Sequence, residues 1–285
     1  MALILKGAPV AEALTAAAAE KAAALREKGV APTLAILRVG ERPEDLSYER
    51  GAMKRCAAAG VEVRSVVLPP EATQAELMDA LQALNEDSAV HGILMMRPLP
   101  APLDNEAARR ALLPAKDVDG VTDGSLAGVF TGSGEGFAPC TAQAAVELLK
   151  FYDVPLNGAH VVVAGRSLVV GRPAAMLLMA EGATVTICHS RTKDLAAQTR
   201  RGDIVVAAIG KMGSFGAEHF SPKTTVVDVG IHMDPATGKL RGDVHFDEAE
   251  PAVAAITPVP GGLGAVTTAV LVRHVTEAAE KAAGG

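Results

Sequence analysis

The 285-residue sequence predicts an α/β protein whose sheet is mostly parallel and carries helices on both faces. Two observations predict it. Apolar runs of strand length alternate with Ala-, Glu- and Lys-rich runs of helical length. The segment His160–Thr192 also reads as strand, glycine turn, helix and strand, the half-unit of a parallel crossover.

Taken in order, Met1–Lys6 is a short apolar run, too short for the core of a signal peptide, and reads as a first strand. Residues 10–28 read as a helix. Pro32 introduces a strand over Thr33–Val39, bounded by Gly40. A turn holding Pro43 leads into a helix over Leu46–Ala59, ended by Gly60, and Val61–Leu68 is the next strand. Ala75–Asn85 is helical. His91–Met96 is a short apolar strand closed by Arg97-Pro-Leu-Pro100. Ligands of open parallel sheets sit beyond the carboxyl ends of the strands. The chain after Gly40, the chain after Met96 and the loop around Asp117 meet that condition. The loop reads Lys116-Asp-Val-Asp-Gly120, and its carboxylates either cap a turn or face a ligand's N–H donors. Residues 121–138 are rich in Gly, Ser and Thr and are the expected boundary between lobes. Pro139-Cys-Thr141 then opens a helix that runs through Phe151.

In His160–Thr192 an apolar strand ends at Gly165, Gly171 follows, and Pro173 suits a first helical turn, where a missing N–H costs nothing. Glycines let backbone approach a pyrophosphate, and a helix start offers N–H donors and a positive dipole end. Ser167 stands where a regular G-x-G-x-x-G would have its second glycine, and an ordinary strand–turn–helix connection shares these features. The second strand adds information. It ends in His189-Ser190-Arg191-Thr192, where an NAD site wants an acidic residue, so with Arg166 it forms a cationic, hydroxyl-bearing corner that fits NADP better. Beyond it come a helix and buried strands over Asp203–Lys211 and Thr224–Ile231. A polar helix over Asp247–Ala255 follows. Ile256–Gly264 holds Pro258, Pro260, Gly261, Gly262 and Gly264, and reads as a rigid ligand-facing loop, a domain-crossing linker, or both. Val266–Ala283 is a long terminal helix.

Composition narrows the function. Aromatics are 3% with no Trp and the net charge is −6, which argues against a nucleic-acid surface. No apolar stretch reaches membrane-spanning length. Cys56, Cys140 and Cys188 lie far apart without metal-type spacing; they are expected as buried thiols in a reducing cytoplasm, with no metal site.

Several motifs together resemble one family, the methylenetetrahydrofolate dehydrogenase/cyclohydrolases. They are Val39-Gly-x-x-Pro43 leading to Tyr48, Gly92-Ile-Leu with Pro98-Leu-Pro100, Lys116-Asp-Val-Asp-Gly120 and Pro139-Cys-Thr141. Gly165-Arg-Ser with Val170-Gly171-x-Pro173, Cys188-His-Ser-Arg-Thr192 and Thr257-Pro-Val-Pro-Gly-Gly262 complete the set. The resemblance covers almost the whole chain. It implies two lobes with a cleft between them: a folate-binding lobe over 1–138, completed by the helix 267–285, and a Rossmann-type NADP-binding lobe over 139–266. It also implies a cytoplasmic homodimer with tetrahydrofolate as the one-carbon carrier. Carried over by position, Tyr48 stacks on the pterin and Asp119 accepts its N–H groups, with Met96, Arg97, Pro98, Gly262 and Val266 lining the substrate site. The cofactor residues implied are Thr141, Gly165, Arg166, Ser167, Val169, His189, Ser190, Ala208, Gly210 and Ile231, with Arg166 and Ser190 on the 2′-phosphate.

The departures bear on mechanism. The family pattern has a catalytic lysine four residues after the tyrosine, where this chain has Ala52; Cys56 keeps its family spacing, so the register has not slipped. Lys54 lies two residues further along the helix, about 200° around it. The family's glutamine before Leu-Pro-Leu-Pro is Met96, the next residue is Arg97 instead of leucine, and Ala265 replaces a proline. Cyclohydrolysis needs water activated and a proton moved. Hydride loss from the bridging methylene is driven by the N5 and N10 lone pairs and asks the protein only for positioning. The expectation is a dehydrogenase whose cyclohydrolase is lost or very weak. The alternatives are a bifunctional enzyme with another base, a dehydrogenase for a modified one-carbon carrier, or a binding protein without turnover. Arg97 is either a solvated rim residue or a partner for a folate glutamate carboxylate.

Overall fold

The computed structural model describes residues 1–284. The first part of the chain forms β1 (Leu3–Ile4), α1 (Gly7–Glu27), β2 (Thr33–Val39), α2 (Pro43–Ala58), β3 (Glu62–Leu68), α3 (Gln74–Glu86) and β4 (Gly92–Met95). Then come α4 (Asn105–Ala111), a 3-10 turn over Pro114–Lys116, α5 (Asp123–Thr131) and α6 (Cys140–Phe151). The next segment is β5 (His160–Ala164), α7 (Gly171–Ala180), β6 (Thr184–Cys188), α8 (Leu195–Thr199), β7 (Ile204–Ala207) and β8 (Thr225–Asp228). The last is β9 (His232–Met233), β10 (Leu240–Arg241), α9 (Phe246–Ala249), β11 (Ala255–Ile256) and α10 (Leu263–Ala283).

The chain folds as two units. One comprises Met1–Ala11 and Thr141–Thr267; the other comprises Glu12–Cys140 and the chain from Thr268 onward. The first holds a six-stranded sheet in the order β1-β11-β8-β7-β5-β6, parallel at every pairing, and a separate antiparallel hairpin of β9 and β10. The second holds a three-stranded parallel sheet, β3-β2-β4. Strand burial follows position. The central strands β2, β7 and β8 are buried at every residue, as parallel strands covered on both faces must be. The edge strand β3 has only exposed and half-buried residues. In the second unit Leu37, Leu77, Leu81 and Ile93 join one core; in the first, Val162, Val205, Phe215 and Val226 join another.

Several expectations need correction. Residues 1–11 belong with the larger sheet, because β1 pairs in parallel with β11, and not with the lobe expected over 1–138. The divisions expected at 138/139 and 266/267 fall within two residues of those observed, and residues 121–138 pack as the last part of the second unit before its boundary. Thr122 caps α5 through Ser125 N–H, Gly132 ends it in the left-handed conformation (φ 70°), and a Cβ on Gly128 would lie 2.0 Å from Glu135 O. The divisions between units fall inside helices, at Ala11/Glu12 in α1, Cys140/Thr141 in α6 and Thr267/Thr268 in α10. The crossing therefore happens in α10 and not in the Pro- and Gly-rich loop before it. The helix expected from Leu46 begins at Pro43, which sits in the first turn beside the Arg42–Asp45 ion pair (2.8 Å). The polar run 247–255 holds only α9, a 3-10 turn and the start of β11. The β9–β10 hairpin was not expected at all; Asp234 closes its turn by accepting from Ala236 N–H (2.9 Å).

Candidate active site

In the larger sheet β5 lies between β6 and β7, so the chain leaves it in both directions and a crevice opens beyond its carboxyl end. The residues expected to hold a cofactor gather there. Gly165 follows β5, His189 and Ser190 follow β6, Ala208 and Gly210 follow β7, and Ile231 follows β8. A Cβ on Gly165 would stand 2.3 Å from Ala208 O, and one on Gly171 would stand 2.2 Å from Gly165 O. Only glycines let strand, turn and helix approach this closely. Ser167 organises the turn: its Oγ accepts from Val170 N–H (3.2 Å) and its carbonyl from Arg172 N–H (3.1 Å). The first donors of α7 are thus satisfied internally, and the exposed residues here are Arg166–Val169.

Register pairs Ala164 with Cys188, so Arg166 and Ser190 each lie two residues past neighbouring strand ends, and both are exposed. His189 shapes that corner: its N–H donates to Thr192 Oγ1 (2.9 Å), and its Nδ1 accepts from Arg191 N–H (3.1 Å). Ile231 is 59% exposed and borders an apolar hollow of ≈ 260 Å³. Gly262 and Ala265 line the same hollow, bringing an expected cofactor residue and an expected substrate residue into one concavity. Val266 does not take part; it is wholly buried, with its Cγ2 3.1 Å from where a Cβ on Gly7 would be. Thr141 is half-buried in the first turn of α6.

In the other unit, α2 turns Asp45, Glu49, Ala52 and Cys56 inward. Ala52 is wholly buried and Lys54 is exposed. Met96 is also buried, its N–H donating to Leu37 O (2.8 Å) past the end of β4. Arg97 is half-buried with a buried Nε that no acceptor meets, and Pro98 is exposed. The two acids of the Asp117 loop divide the roles open to them. Asp117 caps the turn, accepting from Val121 N–H (3.0 Å) and Thr122 N–H (2.7 Å).

Asp119 keeps its carboxylate out of that turn. Burial, then neighbouring Asp117, push it up to about 7, while the Cys140 thiol and Arg97 pull the other way. Burial, then Asp119 and Cys140, raise the Tyr48 phenol well above its ordinary range. Cys140 is likewise raised by burial and by Asp119, and its thiol donates to Val118 O (3.2 Å). His274 shares that carbonyl at 2.9 Å, and burial drives it down to about 3, so it is neutral. Near pH 7 the group in this cluster that titrates is Asp119.

Residues 5–119 match the model of the tetrahydrofolate dehydrogenase/cyclohydrolase catalytic domain, and residues 139–283 match that of the same family's NAD(P)-binding domain. The chain belongs to the tetrahydrofolate dehydrogenase/cyclohydrolase family. It is 49% identical over 282 residues to the bifunctional protein FolD of Carboxydothermus hydrogenoformans, covering 98% of each chain. The crystal structure of the bifunctional FolD of Campylobacter jejuni superposes with a TM-score of 0.95 at 35% identity, over 99% of each chain. The FolD of Trypanosoma brucei, solved with NADP cofactor and an inhibitor, gives 0.91 at 38% identity over 98% of each.

Two clusters in this family member were not read from its sequence. Glu49, beside Tyr48, accepts from Arg38 Nε (2.8 Å) and Ser65 Oγ (2.8 Å), fixing α2 to β2 and β3. The signal available was an arginine inside the buried strand Thr33–Val39. The second cluster is the pair Asp228 and Asp243, signalled only by an acid closing an apolar strand. Among the described residues no group of three or more His, Cys, Asp or Glu is placed to hold a metal, and no helix is long and apolar enough to cross a membrane. The three cysteines are buried and form no disulfide.

Proposed function

We propose that this protein is an NADP-dependent dehydrogenase interconverting 5,10-methylene- and 5,10-methenyltetrahydrofolate, with its cyclohydrolase lost or very weak. One observation carries the second half. The helix face that should present an amine holds wholly buried Ala52, the adjoining strand end holds buried Met96, and Lys54 points to solvent.

The unit of 12–140 and the chain from 268 takes the folate in this reading, and the other unit takes the cofactor. The strand ends suit a dinucleotide: glycines at 165 and 171 leave room that a Cβ would fill, and Arg166 stands exposed for a 2′-phosphate. NADP, when bound, supplies the hydride acceptor. The chain's own tasks are positional. Tyr48, held neutral, stacks on the pterin. Ionised Asp119 accepts from its N–H groups. The apolar hollow beside Ile231 and Gly262 keeps water from the reacting carbon. Proton transfer by a side chain is not required. A cytoplasmic homodimer completes the reading and rests on the family resemblance.

Asp119 favours one competing reading. A carboxylate at about 7 suits a general base, and acting through a water it would sustain residual cyclohydrolysis. Methenyltetrahydrofolate decay measured beside NADP reduction decides between them. Loss of a general base costs ~100- to 10,000-fold. Decay within tenfold of a bifunctional relative's overturns the single-reaction assignment.

A further inference from the structure

The larger unit buries two carboxylates that the proposed chemistry does not use. Asp243 is wholly buried, and its Oδ2 accepts from Gly210 N–H at 2.8 Å. Its Oδ1 meets His232 Nε2 at 2.7 Å. Asp228 is 4% exposed; its Oδ1 accepts from Gly230 N–H (2.9 Å) and Asp243 N–H (3.0 Å), and its Oδ2 from Val244 N–H (3.0 Å). The N–H of Asp228 itself donates to Thr257 Oγ1 (2.8 Å). Neither carboxylate pairs with a lysine or arginine among the described residues. Glycines make the room: a Cβ on Gly242 would fall 1.8 Å from Asp228 Oδ2, and one on Gly230 would fall 2.4 Å from Asp243 Oδ1.

Burying carboxylates without a strong cation is costly unless their lone pairs are met. Here backbone N–H groups meet most of them, and those N–H groups belong to loops at the ligand end of the sheet. Gly210 follows β7, Gly230 follows β8, and Asp243 and Val244 follow β10; His232 beside Ile231 adds its ring nitrogen, and Thr257, which opens the loop to Gly262, accepts from the Asp228 N–H. Because Gly210 N–H is taken by Asp243, Gly210 can serve a cofactor only through its shape and its carbonyl.

We propose that Asp243 is a positioning residue for the cofactor: by gripping Gly210 N–H and His232 it sets the loop after β7 and the segment carrying Ile231 in their binding geometry. This rests on the NADP reading. The test uses full-length wild type, Asp243→Ala, Asp243→Asn and His232→Ala. NADPH binding is followed by its fluorescence, and exchange of the Gly210 amide is measured without ligand. A charge-assisted hydrogen bond lost from an ordered loop predicts NADPH binding weaker by about tenfold or more in Asp243→Ala. The same variant should exchange the Gly210 amide faster. Asn can present an oxygen to Gly210 and an NH2 to the other His232 tautomer, so Asp243→Asn should keep binding within about threefold of wild type. His232→Ala frees one side of the carboxylate and should weaken NADPH about threefold with an unchanged folate KM.

Wild-type binding with Asp243→Ala within twofold of it overturns the positioning role alone. If Asp243→Ala does not fold, His232→Ala decides, and unchanged NADPH binding there overturns the role equally. A wild-type protein that binds no NADPH overturns the cofactor reading, and this inference with it.

Discussion

Asp119 makes a quantitative claim about pH. A pterin offers N–H donors, which an ionised carboxylate accepts in a pair and a neutral acid does not. With Asp119 at about 7 in the free protein, the ionised fraction is about nine-tenths at pH 8 and about one-tenth at pH 6. Since kcat/KM reports the free enzyme, it should fall roughly tenfold between those pH values, along a single limb bending near 7. The assay is NADP reduction with excess formaldehyde holding the folate in its bridged form. Asp119→Asn should lower kcat/KM at every pH and abolish the limb. Stability moves the other way. The folded value lies above the ordinary 3.8, so Asp119 favours folding most below about pH 4, and that contribution is lost as pH rises through about 7. The loss is at most about 4 kcal/mol, so above pH 8 Asp119→Asn should be more stable than wild type in the absence of ligand. A kcat/KM flat from pH 6 to 8, with wild type and Asp119→Asn melting in parallel across that range, would refute the reasoning.

The remaining predictions concern the positions where the chain departs from its family and the corner expected to choose the cofactor. Ala52→Lys with Met96→Gln should raise methenyltetrahydrofolate hydrolysis by at least ~100-fold, the lower end for a general base; no gain in a folded variant that keeps dehydrogenase activity would show that more than these groups is missing. Arg97 has a buried Nε without an acceptor, so Arg97→Leu should raise KM for a polyglutamated folate about tenfold if a glutamate carboxylate meets that donor. An unchanged KM leaves Arg97 a rim residue. Arg166→Ala should raise KM for NADP about tenfold and leave KM for NAD alone, since only the former carries the phosphate that a guanidinium can grip.

The fold was legible where local chemistry and tertiary structure agree. Thr33–Val39 and Gly165 through Pro173 are fully specified by apolar runs, glycines and a proline, and each lies where those residues put it. Two unit boundaries, expected after 138 and after 266, lie within two residues of the observed divisions, and only the one at Ala11/Glu12 was illegible; none could be placed to the residue, for a physical reason. They fall inside α1, α6 and α10, and a helix that passes from one core to another keeps the same periodicity on both sides of the crossing. Composition marked the Gly- and Ser-rich 121–138, which ends two residues before the Cys140/Thr141 division. There glycine serves close packing, as at Gly128, and a left-handed helix end, as at Gly132, rather than a hinge.

The same division holds at the site. Glycine turns, strand ends and the exposed corner of Arg166 and Ser190 follow from local sequence. The carboxylates of Glu49, Asp228 and Asp243 do not, because their partners lie in other segments: Arg38 and Ser65 for Glu49, Asp243 and Val244 for Asp228, Gly210 and His232 for Asp243. An acidic residue in an apolar surrounding says only that something must satisfy it. Which loop supplies the donor is a property of topology, and in this sheet it is the parallel order β8-β7-β5 that brings the strand ends, and so the donors, together.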